Sequence, residues 1–321
     1  MSGDLDPLPT AIPAVPGRAA SRLSRFLASD LWHGFTRSPT AMIAMATALF
    51  CVVCAFGAPW LAPHDPFDLS TLDLSDSHLP PAWMPDGRST FPLGTDDQGR
   101  DIVSALMYGA RISLLVGLCA VLLSLAIGVA AGLVSGFVGG IVDAGLMRLC
   151  DVMLSFPPIL IALLIDGVGR ALFPHAPDIL AFAVLVFALT SSDWVRYART
   201  VRGSTMVERH KDYVQAARLI GVSPWRILRR HVLPNVLGPV LVLATIQIGQ
   251  AIITEATLSF LGVGVPPTNP SLGTLIRIGN DFLYAGEWWI TIFPGVALIV
   301  IALSVNLLGD WLRDALNPRL R

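Results

Sequence analysis

The sequence predicts an all-α polytopic membrane protein with six transmembrane helices. Three observations carry that prediction. Only 14% of the 321 residues are charged and 54% are hydrophobic, whereas an ordinary soluble domain carries about 25% charged residues. With a mean hydropathy of +0.65, the chain holds more apolar residues than one globule of ordinary surface-to-volume ratio hides. Second, uncharged runs recur at the roughly 20 residues that an α-helix needs to cross about 30 Å of hydrocarbon. Third, basic residues concentrate in alternate connections between those runs. A formal net charge of −1 excludes the basic excess of a nucleic-acid binder, and four cysteines in a chain this long form no disulfide framework.

Residues 1–39 form an N-terminal tail and surface segment. Pro7, Pro9, Pro13 and Pro16 break any early helix and the apolar run starts only near Ala41, whereas a cleaved signal has a shorter apolar core nearer its start. Met1 to about Arg18 reads as a disordered tail, and Ser21 to Arg37 as a basic, weakly amphipathic segment at the inner membrane surface. The first span, residues 40–62, lies in AMIAMATALFCVVCAFGAPWLA, where Cys51 and Cys54 act as small apolar residues. An external loop, 63–111, sets eight aspartates against Arg88, Arg100 and Arg111. Within it Thr95 or Asp96 is expected to cap an interfacial helix on which Ile102, Leu106 and Gly109 share a face. Asp96, Asp97 and Asp101 lack the alternating ligands of a calcium loop, so they read as caps and solvated charges, with no metal site.

Residues 112–309 form the core, with five more spans. The second span lies in 31 uncharged residues between Arg111 and Asp143. It carries Gly128, Gly132 and Gly136 at intervals of four, a groove for close helix approach, whose partner helix the pattern does not name. The third, about Ile141 to Ile165, contains Arg148 and Asp151, three apart on one helix and able to pair. The fourth runs from about Pro174 to Trp194. The fifth lies between His231 and Arg277, interrupted only by Glu255, and the sixth in 22 uncharged residues between Glu287 and Asp310. With the N terminus inside, the inner connections and tails hold 16 basic residues and the outer ones 5. Short cytoplasmic loops retain positive residues, so both termini, including the tail 310–321, are expected in the cytoplasm.

The inner loop 195–235 holds 9 of the 22 basic residues and is longer than a connection requires. Arg196, Arg199 and Arg202 recur every three residues, on one helical face where they can meet lipid phosphates. A helix follows through Tyr213, Ala216, Ala217 and Ile220, and Gly221 stops it. Ser223 and Pro224 restart the chain as N-cap and first helical residue, and Pro234 is expected to end a second short helix. The product is a rigid helix-turn-helix.

At these residues the sequence resembles the permease subunits of binding-protein-dependent ABC importers, in the dipeptide, oligopeptide and nickel class. Their signature is EAA, three residues, Gly, nine residues, then Ile-x-Leu-Pro. Here it reads Gln215-Ala216-Ala217, Gly221 and His231-Val232-Leu233-Pro234, with Gln215 and His231 departing and the spacing intact. LGTDDQGRD, Arg148-x-x-Asp151 with Ser155-Phe156-Pro157, EATLSFLGVGVPP from Glu255 and NLLGDWLRDALNPR extend the likeness from about Phe91 to the end. The resemblance implies a type I ABC importer transmembrane domain in the bacterial inner membrane. Its coupling helix would dock on an ATPase through Gln215, Ala216, Ala217, Gly221, Ser223, Pro224, His231, Leu233 and Pro234. It further implies a homologous second permease, two ATP-binding-cassette subunits and an external solute-binding protein, for which Val263 to Gly286 would be a partial lid and docking surface.

The only lysine, Lys211, precedes Asp212, so no Walker A site is present. ATP and magnesium would therefore act on partner ATPase subunits, with no cofactor in this chain and no catalytic residue. Charged residues inside spans are candidate pathway residues. Glu255 is expected either to line the path or to brace the outer gate; Arg148 and Asp151 are expected to pair. The alternative is an ion-gradient-driven secondary transporter, a class that often shows paired halves; no internal repeat is evident. A peptide or related small solute is the expected cargo.

Overall fold

A computed structural model of the chain describes residues 34–68, 72–173, 177–266 and 268–316. The chain divides after Pro39. The readings of Met1 to Arg18 and most of Ser21 to Arg37, like Pro267, lie outside the described residues. Eleven α-helices follow in order among the described residues: α1 Pro39–Phe56, α2 Ala58–Leu61, α3 Ile102–Val138, α4 Gly140–Ser155, α5 Pro158–Leu172, α6 Asp178–Glu208, α7 Asp212–Leu219, α8 Pro224–Ile227, α9 Leu233–Phe260, α10 Leu272–Phe282 and α11 Trp289–Leu316. The one β feature among them is an isolated bridge between Thr95 and Asp101. Five helical stretches are long and apolar enough to cross a membrane, namely α1, α3, α6, α8 with α9, and α11, and the bent pair α4 and α5 brings the number to six where its two arms count as one span.

The second span is longer than expected. With 37 residues and a rise of 1.5 Å each, α3 extends about 55 Å, and it absorbs the separate interfacial helix expected before residue 111. Its N-cap is Asp101, not Thr95 or Asp96: Asp101 Oδ2 accepts from the Ser104 amide at 2.8 Å and from Ser104 Oγ at 2.6 Å. Asp96 is engaged elsewhere. Its carboxylate takes the amides of Gln98 and Arg100 at 2.9 Å each and Arg100 Nε at 2.6 Å, all in a turn that Gly99 permits with φ +76°. Asp96, Arg100 and Asp101 are all buried, so the turn from Asp96 to Asp101 is a clasp rather than a run of solvated charges.

The third span is broken. Phe156 leaves the helix at φ −103° and ψ 138°, because the residue before a proline is driven out of the α region, and α5 restarts at Pro158 with a bend of 89°. The fourth span overshoots the expected end at Trp194, since α6 runs 31 residues to Glu208. At the far end α11 passes the expected tail boundary at residue 310 and continues to Leu316.

The glycine stripe meets its partner within this chain. A Cβ on Gly132 would lie 2.5 Å from the Ala198 carbonyl oxygen and 2.7 Å from Val201 Cβ; one on Gly136 would lie 2.7 Å from Thr205 Cβ; and one on Gly128 would lie 2.5 Å from the Trp194 carbonyl. Only hydrogen fits at these three positions, so α3 and α6 touch backbone to backbone. Around this contact Val121 and Leu133 of α3, Tyr197 and Val201 of α6, Val214 and Ala217 of α7, Ile227 of α8 and Val236 and Val240 of α9 form one buried cluster. The short α7 and α8 therefore share a core with three membrane helices.

Candidate functional site

The helix-turn-helix is built as its residues require. At the end of α7 the Val222 amide bonds the Ala217 carbonyl and the Gly221 amide bonds the Arg218 carbonyl, both at 3.0 Å. That is a Schellman stop, completed by Gly221 at φ +78° and by Val222 packing in the same cluster as Ala217. Ser223 occupies the N-cap position and Pro224 the first turn, but the Ser223 side chain makes no capping bond; the Ser223 carbonyl closes the turn by accepting from Arg226 and Ile227 at 3.0 and 3.1 Å.

Pro234 does not end the second helix. Between α8 and α9 lies a π-helical segment, Leu228–Val232, in which the Leu233 amide reaches back to Leu228. The widened turn accommodates a residue with no amide hydrogen, and the helix runs on to Phe260. Asn235 Nδ2 covers the His231 carbonyl at 2.7 Å, and the His231 ring lies 6.2 Å from that of Tyr213.

Tyr213 is the residue that sequence reasoning missed as a joint. Its hydroxyl donates to the Glu208 carboxylate at the end of α6 and accepts from Asn235 Nδ2 at 2.9 Å on α9. One phenol on α7 thus ties two membrane helices. Partial burial and the Glu208 carboxylate push it above the ordinary phenol range, which keeps it a donor. Arg209 adds a second tie by donating Nη1 to the Gly136 carbonyl at 2.9 Å, capping the end of α3, and Arg218 lies over the Phe137 ring at 5.2 Å.

With Val214 and Ala217 facing inward, the opposite face of the helix-turn-helix is open. Gln215, Ala216, Gly221, Ser223 and Pro224 are exposed. Leu219, Ile220 and Trp225 are 89%, 79% and 69% exposed, more than apolar side chains of this size show without a partner surface. Arg226, Arg229 and Arg230 flank them, also exposed. Leu233 instead packs on the inner cluster.

Two of the three arginines expected to meet lipid phosphates find carboxylates within the chain. Arg199 Nη2 reaches Asp151 at 2.7 Å, and Arg202 grips Asp143 with Nε at 2.5 Å and Nη2 at 2.7 Å. Asp151 thereby pairs across helices rather than along its own helix with Arg148. The sequence could not show this, because it depends on how α4 is laid against α6. Arg196 differs: its Nη1 meets the uncharged Gln247 Oε1 at 3.0 Å.

Glu255 is wholly buried. Its Oε1 accepts from Ser259 Oγ at 2.7 Å, with the hydroxyls of Ser113 and Ser271 beside it, where Ser113 also accepts from the Leu272 amide at 3.3 Å. The carboxyl sits where α9, α3 and the start of α10 meet. Its burial places the carboxyl in the packing between these three helices in this conformation.

The geometry agrees with what the comparisons show. The family model described as "binding-protein-dependent transport system inner membrane component" matches residues 128–321. The chain belongs to this permease family. A model for the N-terminal TM domain of oligopeptide transport permease C matches residues 27–81 of the permease. It is 39% identical over 294 residues to the di/tripeptide transport system permease protein DppC of Pseudomonas aeruginosa (strain UCBPP-PA14), covering 91% of this chain and 92% of that one. To the dipeptide transport system permease protein DppC of Escherichia coli (strain K12) it is 39% identical over 293 residues, with 91% and 93% covered. The inward-facing MetNI methionine ABC transporter shares its fold, with a TM-score of 0.52 at 19% identity over 66% of this chain and 96% of that one. The permease is accordingly the transmembrane subunit of an ABC importer, a multi-pass protein of the bacterial inner membrane. Permeases of this class work with an ATPase and a binding protein; the ion-gradient alternative finds no support.

Proposed function

We propose that this permease forms half of the path for short peptides. Its helix-turn-helix would be the coupling element that receives the force of ATP hydrolysis. The observation that carries the reading is the pairing of an exposed apolar tip, Leu219, Ile220 and Trp225, with an inner face that shares one core with α3, α6 and α9. Such an element moves as a rigid body with the bundle, so a partner that displaces the tip tilts the spans and exchanges one opening for another. In this account a homologous second permease completes the path, two ATPase subunits carry ATP and magnesium, and both termini lie in the cytoplasm with the coupling loop. The outer segment from Val263 to Gly286, organised by α10, receives the binding protein. The names of the relatives support peptide cargo, and Gln215, Ala216, Gly221, Ser223, Pro224 and His231 shape the docking element around the tip.

Co-purification tests the docking face. Burying one large aliphatic side chain is worth about 1.5–3 kcal/mol, so Ile220→Asp weakens retention of the ATPase subunits by at least about tenfold while the permease itself elutes and melts as wild type. Undiminished retention would remove the tip from the interface.

A further inference from the structure

Polar residues gather where the bundle would otherwise be apolar. Between α5, α6 and α9 lies a cavity of about 240 Å³ whose lining includes Ser192, Asp193 and Arg196 on α6 and Gln250, Thr254 and Thr257 on α9. On α9 these positions, with Gln247 before them, recur at three, four and three residues, so they form one stripe along a helix that elsewhere reads as a membrane span. The first turn of α5, just past the break at Phe156 and Pro157, closes one wall with Pro158, Ile159 and Ala162. Helices interrupted at a polar cavity are how membrane transporters bring backbone and side chains to a solute.

The polar groups are not used up by the fold. Among the described residues, Ser192 Oγ and Gln247 Nε2 are buried without a hydrogen-bond partner. Groups of that kind are costly to bury when nothing meets them. Arg196 spends one nitrogen on the neutral Gln247 amide, while Arg199 and Arg202 are matched by carboxylates. Thr254 and Thr257 donate to carbonyls of their own helix at 2.9 and 2.8 Å, which leaves their oxygens as acceptors. The groove therefore offers the Asp193 carboxyl, the Arg196 guanidinium that interacts with it, amides and hydroxyls within one small space. Its volume falls just below the roughly 300–1,000 Å³ of complete ligand pockets, as half of a site shared with a second permease should.

The geometry points to a cargo-contact site in this groove, with Asp193 receiving the ammonium end of a short peptide, Arg196 its carboxylate end, and Ser192 and Gln250 its backbone amides. This rests on the peptide reading above and adds to it the residues that touch cargo in this chain. The groove runs from Thr257 to Arg196.

The complete transporter in proteoliposomes tests the site, with radiolabelled L-alanyl-L-alanine supplied on the binding protein and peptide moved per ATP hydrolysed as the readout. Asp193→Asn and Gln250→Leu assemble and hydrolyse ATP at wild-type rates yet move about tenfold less peptide per ATP, the factor that 1.4 kcal/mol of lost contact makes. Asp193→Glu recovers most of the yield. An unchanged ratio in both variants, while wild type transports, overturns the site and leaves the peptide reading standing. Loss of assembly in Asp193→Asn without recovery in Asp193→Glu makes the groove a subunit contact and also overturns the site. A wild-type complex that moves another solute but no di- or tripeptide overturns the peptide reading and this inference with it.

Discussion

Replacing Gly132 with leucine is expected to destabilise the permease strongly. The new Cβ would stand 2.5 Å from the Ala198 carbonyl and 2.7 Å from Val201 Cβ, and neither is the end of a flexible chain that could swing aside. Both helices must separate, and the separation spreads into the cluster that holds Val201, Val214 and Val236. Overpacking against backbone stands at the upper end of the usual cost, about 3 kcal/mol, and at about 2–4 °C per kcal/mol that lowers the melting temperature by roughly 6–12 °C. The measurement is thermal unfolding of the detergent-solubilised permease, followed by intrinsic tryptophan fluorescence. Gly203→Leu serves as the control, since a Cβ there meets nothing within 4 Å although it lies on the same α6. Equal stability of the two variants would show that α3 and α6 do not need the close approach.

Gly221→Val is expected to fold and fail to transport. Nothing lies within 4 Å of a Cβ at this position, so the substitution adds no clash. Its cost comes from φ +78°, a left-handed conformation that an L-residue adopts at about 1–2 kcal/mol and a β-branched one more reluctantly. Unwinding the turn is the cheapest relief, and it breaks the two bonds from Val222 to Ala217 and from Gly221 to Arg218 that aim Leu219 and Ile220. Uptake by the complete complex drops at least about tenfold, which asks no more than 1.4 kcal/mol of misaligned contact, while the permease melts within a few degrees of wild type. Gly221→Asn, which tolerates the left-handed region, restores transport. Normal uptake in Gly221→Val would mean that the turn does not orient the tip.

These two glycines also show where the sequence is informative. Gly221 was legible as a stop because its role is local, set by φ and by bonds within the adjacent turn. The stripe Gly128, Gly132 and Gly136 was legible as a packing face and silent about its partner, since nothing in a four-residue spacing says which helix fills the groove. Other features went unread for the same physical reason. Tyr213 joins Glu208 to Asn235, a contact that exists only once α6, α7 and α9 are assembled. Asp151 was expected to pair with Arg148 because they are close in sequence, whereas the fold offers Arg199.

The break at Phe156 and Pro157 had a readable cause in the restriction on a residue before proline; hydrophobic length alone hides it, because both arms of the bend are apolar. Pro234 shows the converse. A proline that ends a helix by rule is carried through by a π-helical turn, and only the backbone reveals that widening. The polar stripe of Gln247, Gln250, Thr254 and Thr257 was present in the sequence throughout, but uncharged polar residues do not interrupt a hydropathy run as Glu255 does.

The central claim is that ATP hydrolysis on a partner moves solute through this chain by way of its helix-turn-helix. The most direct test is uptake of radiolabelled L-alanyl-L-alanine into proteoliposomes holding the permease with its second permease, ATPases and binding protein, with ATP and an ionophore varied separately. The account predicts uptake that starts with ATP, stops without it and is indifferent to the ionophore. Uptake that continues without ATP and collapses with the ionophore would contradict it.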